Sequence, residues 1–290
     1  MIAMRNIRLI ISFDGTDFSG WQYQDNARTV QGELITALQS LTGQHVTLYS
    51  SSRTDAGVHA MAMPVSFRLE TTLPHRAFVM GLNSKLPLDV RVMTAEDMPP
   101  DFHARFSSLG KTYRYRIQTG SITLPMDRRI AWHVPIPPDV ERMREAAAHM
   151  IGEHDFSAFR SSQCDAASPV RTLRRVEVQS ERPDLVAVEV EGGGFLRNMV
   201  RIIVGTLVDV GIGRHPSSWV AELLTHGDRR KGGITAPAKG LFLKEVQYPE
   251  ISIGPGVDDL APPGEGAQEN QPVIDADGPG RDQHRQERSA

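Results

Sequence analysis

The chain has 290 residues, 40% of them hydrophobic and 23% charged, enough for one large or two modest domains with a proper core. No apolar run approaches the roughly 20 residues of a membrane-spanning helix, and Met1 to Asn6 lacks the basic region and apolar block of a secretory signal. A single cysteine, Cys164, excludes an intramolecular disulfide and fits a reducing compartment, so a soluble cytoplasmic protein is expected, and the net charge of −3 taken alone argues against a nucleic-acid partner.

From Ile7 to Phe13, Ile7, Leu9, Ile11 and Phe13 alternate with Arg8 and Ile10, which predicts an opening strand largely buried on both faces. The Gly and Asp content of Asp14 to Gln22 reads as a loop. Val30, Leu34, Leu38 and Leu41 recur at helical spacing behind a capping Thr29. Val46, Leu48 and Ser50 alternate with Thr47, Tyr49 and Ser51, and Met61 to Leu69 alternates again, so two strands flank the run Arg53-Thr54-Asp55-Ala56-Gly57-Val58-His59-Ala60. A second helix around Phe78, Val79, Leu82 and Leu86 ends near Pro87, and a short strand follows through Val90, Val92 and Thr94. Strand, helix, strand, strand, helix, strand is the order of a ferredoxin-like half.

The second half repeats this order without evident sequence repetition. Lys111 to Ile117 places Tyr113, Tyr115 and Ile117 on one face of a strand and Arg114 and Arg116 on the other. A helix is predicted over Asp139 to Ile151 and closed by Gly152, followed by paired strands at 171–179 and 184–191. Gly192, Gly193 and Gly194 precede a helical pattern in which Met199, Ile203, Val204 and Leu207 bury one side and Arg197 and Arg201 share another. The glycine spacing and strand order do not fit a dinucleotide site. A helix around Trp219 and a last strand from Leu241 complete the pattern.

The fold class expected is α+β: two ferredoxin-like halves, 1–110 and 111–249, whose antiparallel sheets join into one extended sheet with helices on one face and an active-site cleft between the halves. Residues 250–290 read as a disordered acidic tail, too poor in apolar side chains to offset ordering. Beyond Glu250, eight acidic residues stand against three arginines, a net of −5, which leaves +2 on the first 250 residues and room for a positive cleft.

The run Arg53 to Ala60 resembles, almost letter for letter, the catalytic loop of the tRNA pseudouridine synthase A family. An Asp before Ala-Gly can also serve only to cap a turn through its own backbone. The resemblance implies instead that Asp55 is the nucleophile. Many members have Gly where this chain has Ser52, a departure expected to alter loop shape more than chemistry. The similarity extends to Asp14-Gly15 with Gly20-Trp21-Gln22, expected to shape an RNA groove, and to Asp101-Phe102-His103-Ala104-Arg105-Phe106, expected to shape the cleft or hold phosphate. It continues through Tyr113-Arg114-Tyr115 and Met199-Val200-Arg201, and covers about residues 5 to 249.

By this resemblance Tyr113 stacks on the target uracil and serves in proton transfer, and Arg201 pairs with Asp55. Leu241 packs beneath the base, Arg53 enters the space a flipped base leaves or holds its backbone, and Arg197 contacts RNA. The implied reaction turns uridine into pseudouridine at positions 38, 39 and 40 of the tRNA anticodon arm, with no cofactor and no metal, in a homodimer that grips one tRNA. The target base must leave its stack to be reached. A carboxylate closed inside a base pocket would tend to protonate, and a neighbouring guanidinium opposes that. Two other classes stay open at this point: an N-glycoside hydrolase, and a non-catalytic RNA-binding protein.

Overall fold

The computed structural model describes residues 3–250, so the expected acidic tail, apart from Glu250, lies outside the described residues. In chain order the first half gives β1 (Met4–Phe13), α1 (Val30–Thr42), β2 (Tyr49–Ser50), β3 (His59–Glu70), α2 (His75–Asn83) and β4 (Val90–Met98). The second gives β5 (Gly110–Thr119), β6 (Trp132–Val134), α3 (Val140–Ala148), β7 (Gly152–Asp155), β8 (Val170–Arg182), β9 (Leu185–Gly192), α4 (Met199–Gly211), α5 (Trp219–His226) and β10 (Leu241–Gln247).

All ten strands form one sheet in the order β4-β1-β3-β10-β5-β9-β8-β7, with β2 on β3 and β6 on β5. Each half follows one rule within it. β4-β1-β3-β2 and β10-β5-β9-β8 both place the fourth strand of a ferredoxin-like unit beside its first and the second at the far end. The halves meet where Phe242 and Leu243 of β10 run parallel to His59 and Ala60 of β3. β2 and β10 therefore share one edge of β3 at different heights, and the chain between β2 and β3 is displaced into the gap between the halves.

Period-two patterning sets the two faces of the sheet. Ile7, Leu9, Ile11 and Phe13 of β1, Tyr115 and Ile117 of β5 and Val186, Val188 and Val190 of β9 all join one continuous core with the helices. The opposite face of β1 is half-buried rather than core, because Arg8 lies there in an ion pair with Glu96. On that same side of the second half the sheet carries charge: Arg114 pairs with Glu181 and Glu189, Arg175 with Glu189 and Glu191, and Lys244 with Glu189 at 2.6 Å.

Several boundaries depart from the sequence pattern. The strand expected from Val46 shrinks to Tyr49–Ser50, and the carbonyl of Leu48 accepts from Gln31 Nε2 at 3.4 Å instead of a β3 amide. Thr29 caps α1 as expected, accepting from the Gly32 amide. Gly152 does not close α3, which ends at His149 in ordinary helical geometry; Gly152 opens β7. Helix α4 is buried on every side except at Arg201, and Arg197 precedes it, so the two arginines do not share a helix face. A helix this apolar all round is a core element.

Tyr115 is fully buried and donates its hydroxyl to the carbonyl of Pro237 at 2.6 Å, tying β5 to the turn that feeds β10. Tyr115→Phe removes this buried bond and should lower stability by about 1 kcal/mol in urea denaturation, with no change in denaturant slope.

Candidate functional site

The backbone of 51–58 is held before any side chain is considered. The Ser51 amide donates to Pro64 O on β3 (3.0 Å), the Trp21 amide to Thr54 O (3.1 Å), and the Gly57 amide to Phe18 O (3.3 Å). Gly57 adopts φ +77°, a left-handed conformation that glycine takes without steric cost. Gly20 has φ +93° and passes so close that a Cβ there would stand 2.6 Å from the Thr54 carbonyl. The segment 14–22 is thus mainly a clamp on the Asp55 loop, with Trp21 buried, and its polar Ser19 and Gln22 line the cleft.

Alternation continues through the loop, with Ser52 and Thr54 buried, Arg53 exposed and Asp55 half-exposed. His59 lies at the start of β3 and is buried. Its Nδ1 accepts from the Gly15 amide at 3.1 Å, which leaves the proton on Nε2 to donate to Lys239 O at 3.1 Å. Burial holds this imidazole below its ordinary pKa despite the nearby Asp14 carboxylate, so it acts as a neutral tie between the two halves.

From the second half, α4 delivers Arg201. Its Nε donates to Ala236 O (2.7 Å), and one terminal nitrogen donates to Asn198 Oδ1 (3.1 Å) and lies 3.6 Å from Asp55 Oδ2. The Ala236 amide returns a bond to Arg201 O, so guanidinium and backbone are fixed together. Asp55 remains 40% exposed, so in the free protein it is not yet closed in; its open side faces the cleft.

Tyr113 is buried against this pair. Its hydroxyl lies 3.0 Å from Ser52 Oγ, and Phe195 meets its ring edge-on with centroids 5.0 Å apart. Burial, aided by the Asp55 charge, pushes the phenol pKa up, so Tyr113 is a neutral hydroxyl rather than a tyrosinate. Ser52 therefore does more than reshape the loop: it supplies the hydrogen-bond partner of this phenol. Leu241, paired in register with Tyr115, is buried on the same sheet face as Tyr113 and lines the cleft.

These residues open into a cleft of about 1370 Å³ walled by both halves. Arg53, Arg105, Lys111, Arg171 and Arg197 line it, and none has a carboxylate within ion-pair distance among the described residues. Arg197 reaches the carbonyl of Gln163 at 3.2 Å. Lys111 donates to Ser51 O at 2.6 Å, and burial pushes its pKa down to about 8. Asn198 and Lys111 carry no mark in the sequence beyond Asn's tolerance of left-handed geometry and the place of Lys111 two residues before Tyr113.

The family model described as tRNA pseudouridine synthase matches residues 9–107 and 146–249, which include Asp55 and Arg201. The chain belongs to this family. It is 46% identical to the tRNA pseudouridine synthase A of Myxococcus xanthus over 84% of this chain and 92% of that one. It is 47% identical to that of Geobacter sp. (strain M21) over 85% and 100%, and 43% identical to that of Thermoanaerobacter sp. (strain X514) over 84% and 100%. Membership places the resemblance of the Arg53 to Ala60 run within a match to both halves.

Asn198 is the one non-glycine residue with positive φ among the described residues, at +62°. Asn198→Gly should preserve stability while lowering turnover, because it releases Arg201. Asn198→Ala should in addition lose about 1 kcal/mol to the left-handed backbone. Thermal denaturation beside turnover separates the two effects.

Proposed function

We propose that the protein isomerises uridine to pseudouridine in tRNA, at positions 38, 39 and 40 of the anticodon arm, acting in the cytoplasm as a homodimer. The observation that carries the chemistry is the 3.6 Å approach of Arg201 to Asp55 at the floor of a cleft whose other arginines and lysine have no carboxylate partner among the described residues. A single free cysteine suits a reducing compartment, and a two-fold dimer is the commonest symmetric assembly.

In this reading the Asp55 carboxylate attacks either the ribose C1′ or the uracil C6 of an everted uridine. The bond from C1′ to N1 breaks, the base turns within the closed site, C5 bonds to C1′, the bond that Asp55 formed breaks again, and the proton lost from C5 is balanced by the one that N1 takes up. Atoms and charge balance without any co-reactant. Arg201 fixes the carboxylate's orientation. Tyr113, a neutral phenol bonded to Ser52, packs against the base and can accept the C5 proton only by giving up its own hydroxyl proton. Leu241 packs beneath the base, Arg53 fills the vacated stack or holds the flipped backbone, and Arg197 contacts RNA. Cationic side chains in the cleft supply phosphate affinity, and the tRNA fold supplies selection.

Asp55→Ala should abolish pseudouridine formation in transcribed tRNA, read by carbodiimide-dependent primer extension, yet keep tRNA affinity within about threefold. Release of free uracil by the unsubstituted protein would instead identify a hydrolase. A second outcome concerns Lys111. Its charge is present below pH about 8 and lost above it, so tRNA affinity at fixed salt should fall between pH 7 and 9. Lys111→Met should weaken binding at pH 7 and flatten that dependence in a filter-binding titration.

A further inference from the structure

We propose that Tyr49, His103 and Phe106 form a stacking platform on the outer wall of the cleft for an unpaired nucleobase of the substrate RNA, with Arg105 placed to meet the adjoining phosphate. The inference rests on the tRNA-modifying reading above and names a second base site, apart from the everted uracil. The Tyr49 and His103 rings lie 4.6 Å apart between centroids, and those of His103 and Phe106 4.4 Å apart, tilted by 45° and 36°. None of the three rings contacts the Tyr113 and Phe195 pair beside Asp55.

The platform is built rather than incidental. His103 Nδ1 accepts from the backbone amides of Arg105 at 3.0 Å and Phe106 at 3.4 Å, and its own amide donates to Ser107 Oγ at 3.0 Å. The Ser108 hydroxyl donates to the Arg105 carbonyl at 2.8 Å. This self-bonded turn holds the central ring still, in its neutral form, since its burial and the nearby Arg105 both lower the imidazole's affinity for a proton. At the two ends of the series, Phe106 is 76% exposed and Tyr49 45%. A locked turn that keeps a phenylalanine in water forgoes the burial a free ring would find, so the geometry is one that a partner completes.

The surroundings say which partner. The Arg105 guanidinium lies 5.6 Å from the Phe106 ring centroid and has no carboxylate within ion-pair distance among the described residues. Lys111, close enough for Arg105 to disfavour its charge, is likewise without a carboxylate, and both open on the cleft that holds Asp55. An acidic polymer with planar, apolar-faced rings matches exposed aromatics beside unmatched cations. Single-stranded RNA offers both in one repeat, and loop nucleotides are recognised in this way. In the first half, the loop after β4 thus presents to RNA what the loop after β2 presents to chemistry.

The test compares Phe106→Ala, Phe106→Leu and Phe106→Tyr in the full chain, using transcribed tRNA as the probe, with steady-state pseudouridine formation and filter binding read in parallel. KM and Kd should rise about tenfold for the Ala and Leu variants, the size of one lost base stack, while kcat changes by less than about threefold. The Tyr variant should stay within about twofold of the parent. Leu88→Ala, at a side chain 91% exposed and outside the cleft lining, should change neither constant.

Full rescue by leucine would reduce the ring to apolar packing and overturn the proposal, as would constants unchanged in all three variants. A shift in sedimentation coefficient, with tRNA affinity following only the loss of assembly, would make this face a contact between copies and overturn it too. If the unsubstituted protein binds tRNA but forms no pseudouridine, the functional reading fails while filter binding still tests the platform.

Discussion

Everything at the site depends on one guanidinium with nowhere else to go. Arg201 is held by the Ala236 carbonyl, by Asn198 and by its charge opposite Asp55, and it stands at the only non-buried position of an otherwise core helix. Asp55 sits on a loop whose backbone is bonded to β3 and to the segment around Trp21. One group comes from each half of the molecule. Neither half alone contains the pair, and the joint that creates it is the short parallel contact of β10 with β3, reinforced by His59 across to Lys239. A positioned ion pair at 3.6 Å has little slack, since an error of about 1 Å in the placement of reacting groups can cost a hundredfold in rate.

The sheet also sorts its charges. On the face away from the helices, Arg114, Arg175 and Lys244 are matched by Glu181, Glu189 and Glu191. In the cleft, Arg53, Arg105, Lys111, Arg171 and Arg197 have no carboxylate partner among the described residues. The paired side chains are half-buried and Glu189 is buried, and desolvation offsets much of what such pairs gain, so the pairing matters more for where a polyanion is drawn than for holding the fold. A chain of net charge −3 can in this way present a positive cleft, because attraction to phosphate follows local clustering and not the total.

Tyr113 shows how the same burial that positions a group constrains its chemistry. A phenol enclosed by Phe195 and bonded to Ser52 is raised away from ionisation, and the nearby carboxylate raises it further. Its available work is packing and hydrogen bonding, with any proton relay coupled to a bound substrate. Ser52 thereby enters the site through its side chain and not through loop shape alone.

The sequence by itself determined the element order of both halves apart from β6 and β7, the inward faces of β1 and β5 and the cap at Thr29, because each follows from local periodicity or from what one residue type permits. The run from Arg53 to Ala60 marked where chemistry gathers, by resemblance. Only the tertiary structure decided that the loop around Trp21 clamps the Asp55 loop, that Arg197 and Arg201 part company, that Ser52 meets Tyr113 across 61 positions, and that Asn198 sets Arg201. Those facts arise from contacts between segments far apart in the chain, and from the competition of β2 and β10 for one edge of β3. A period of two or 3.6 records which way a side chain points, and carries no information about what it will meet there.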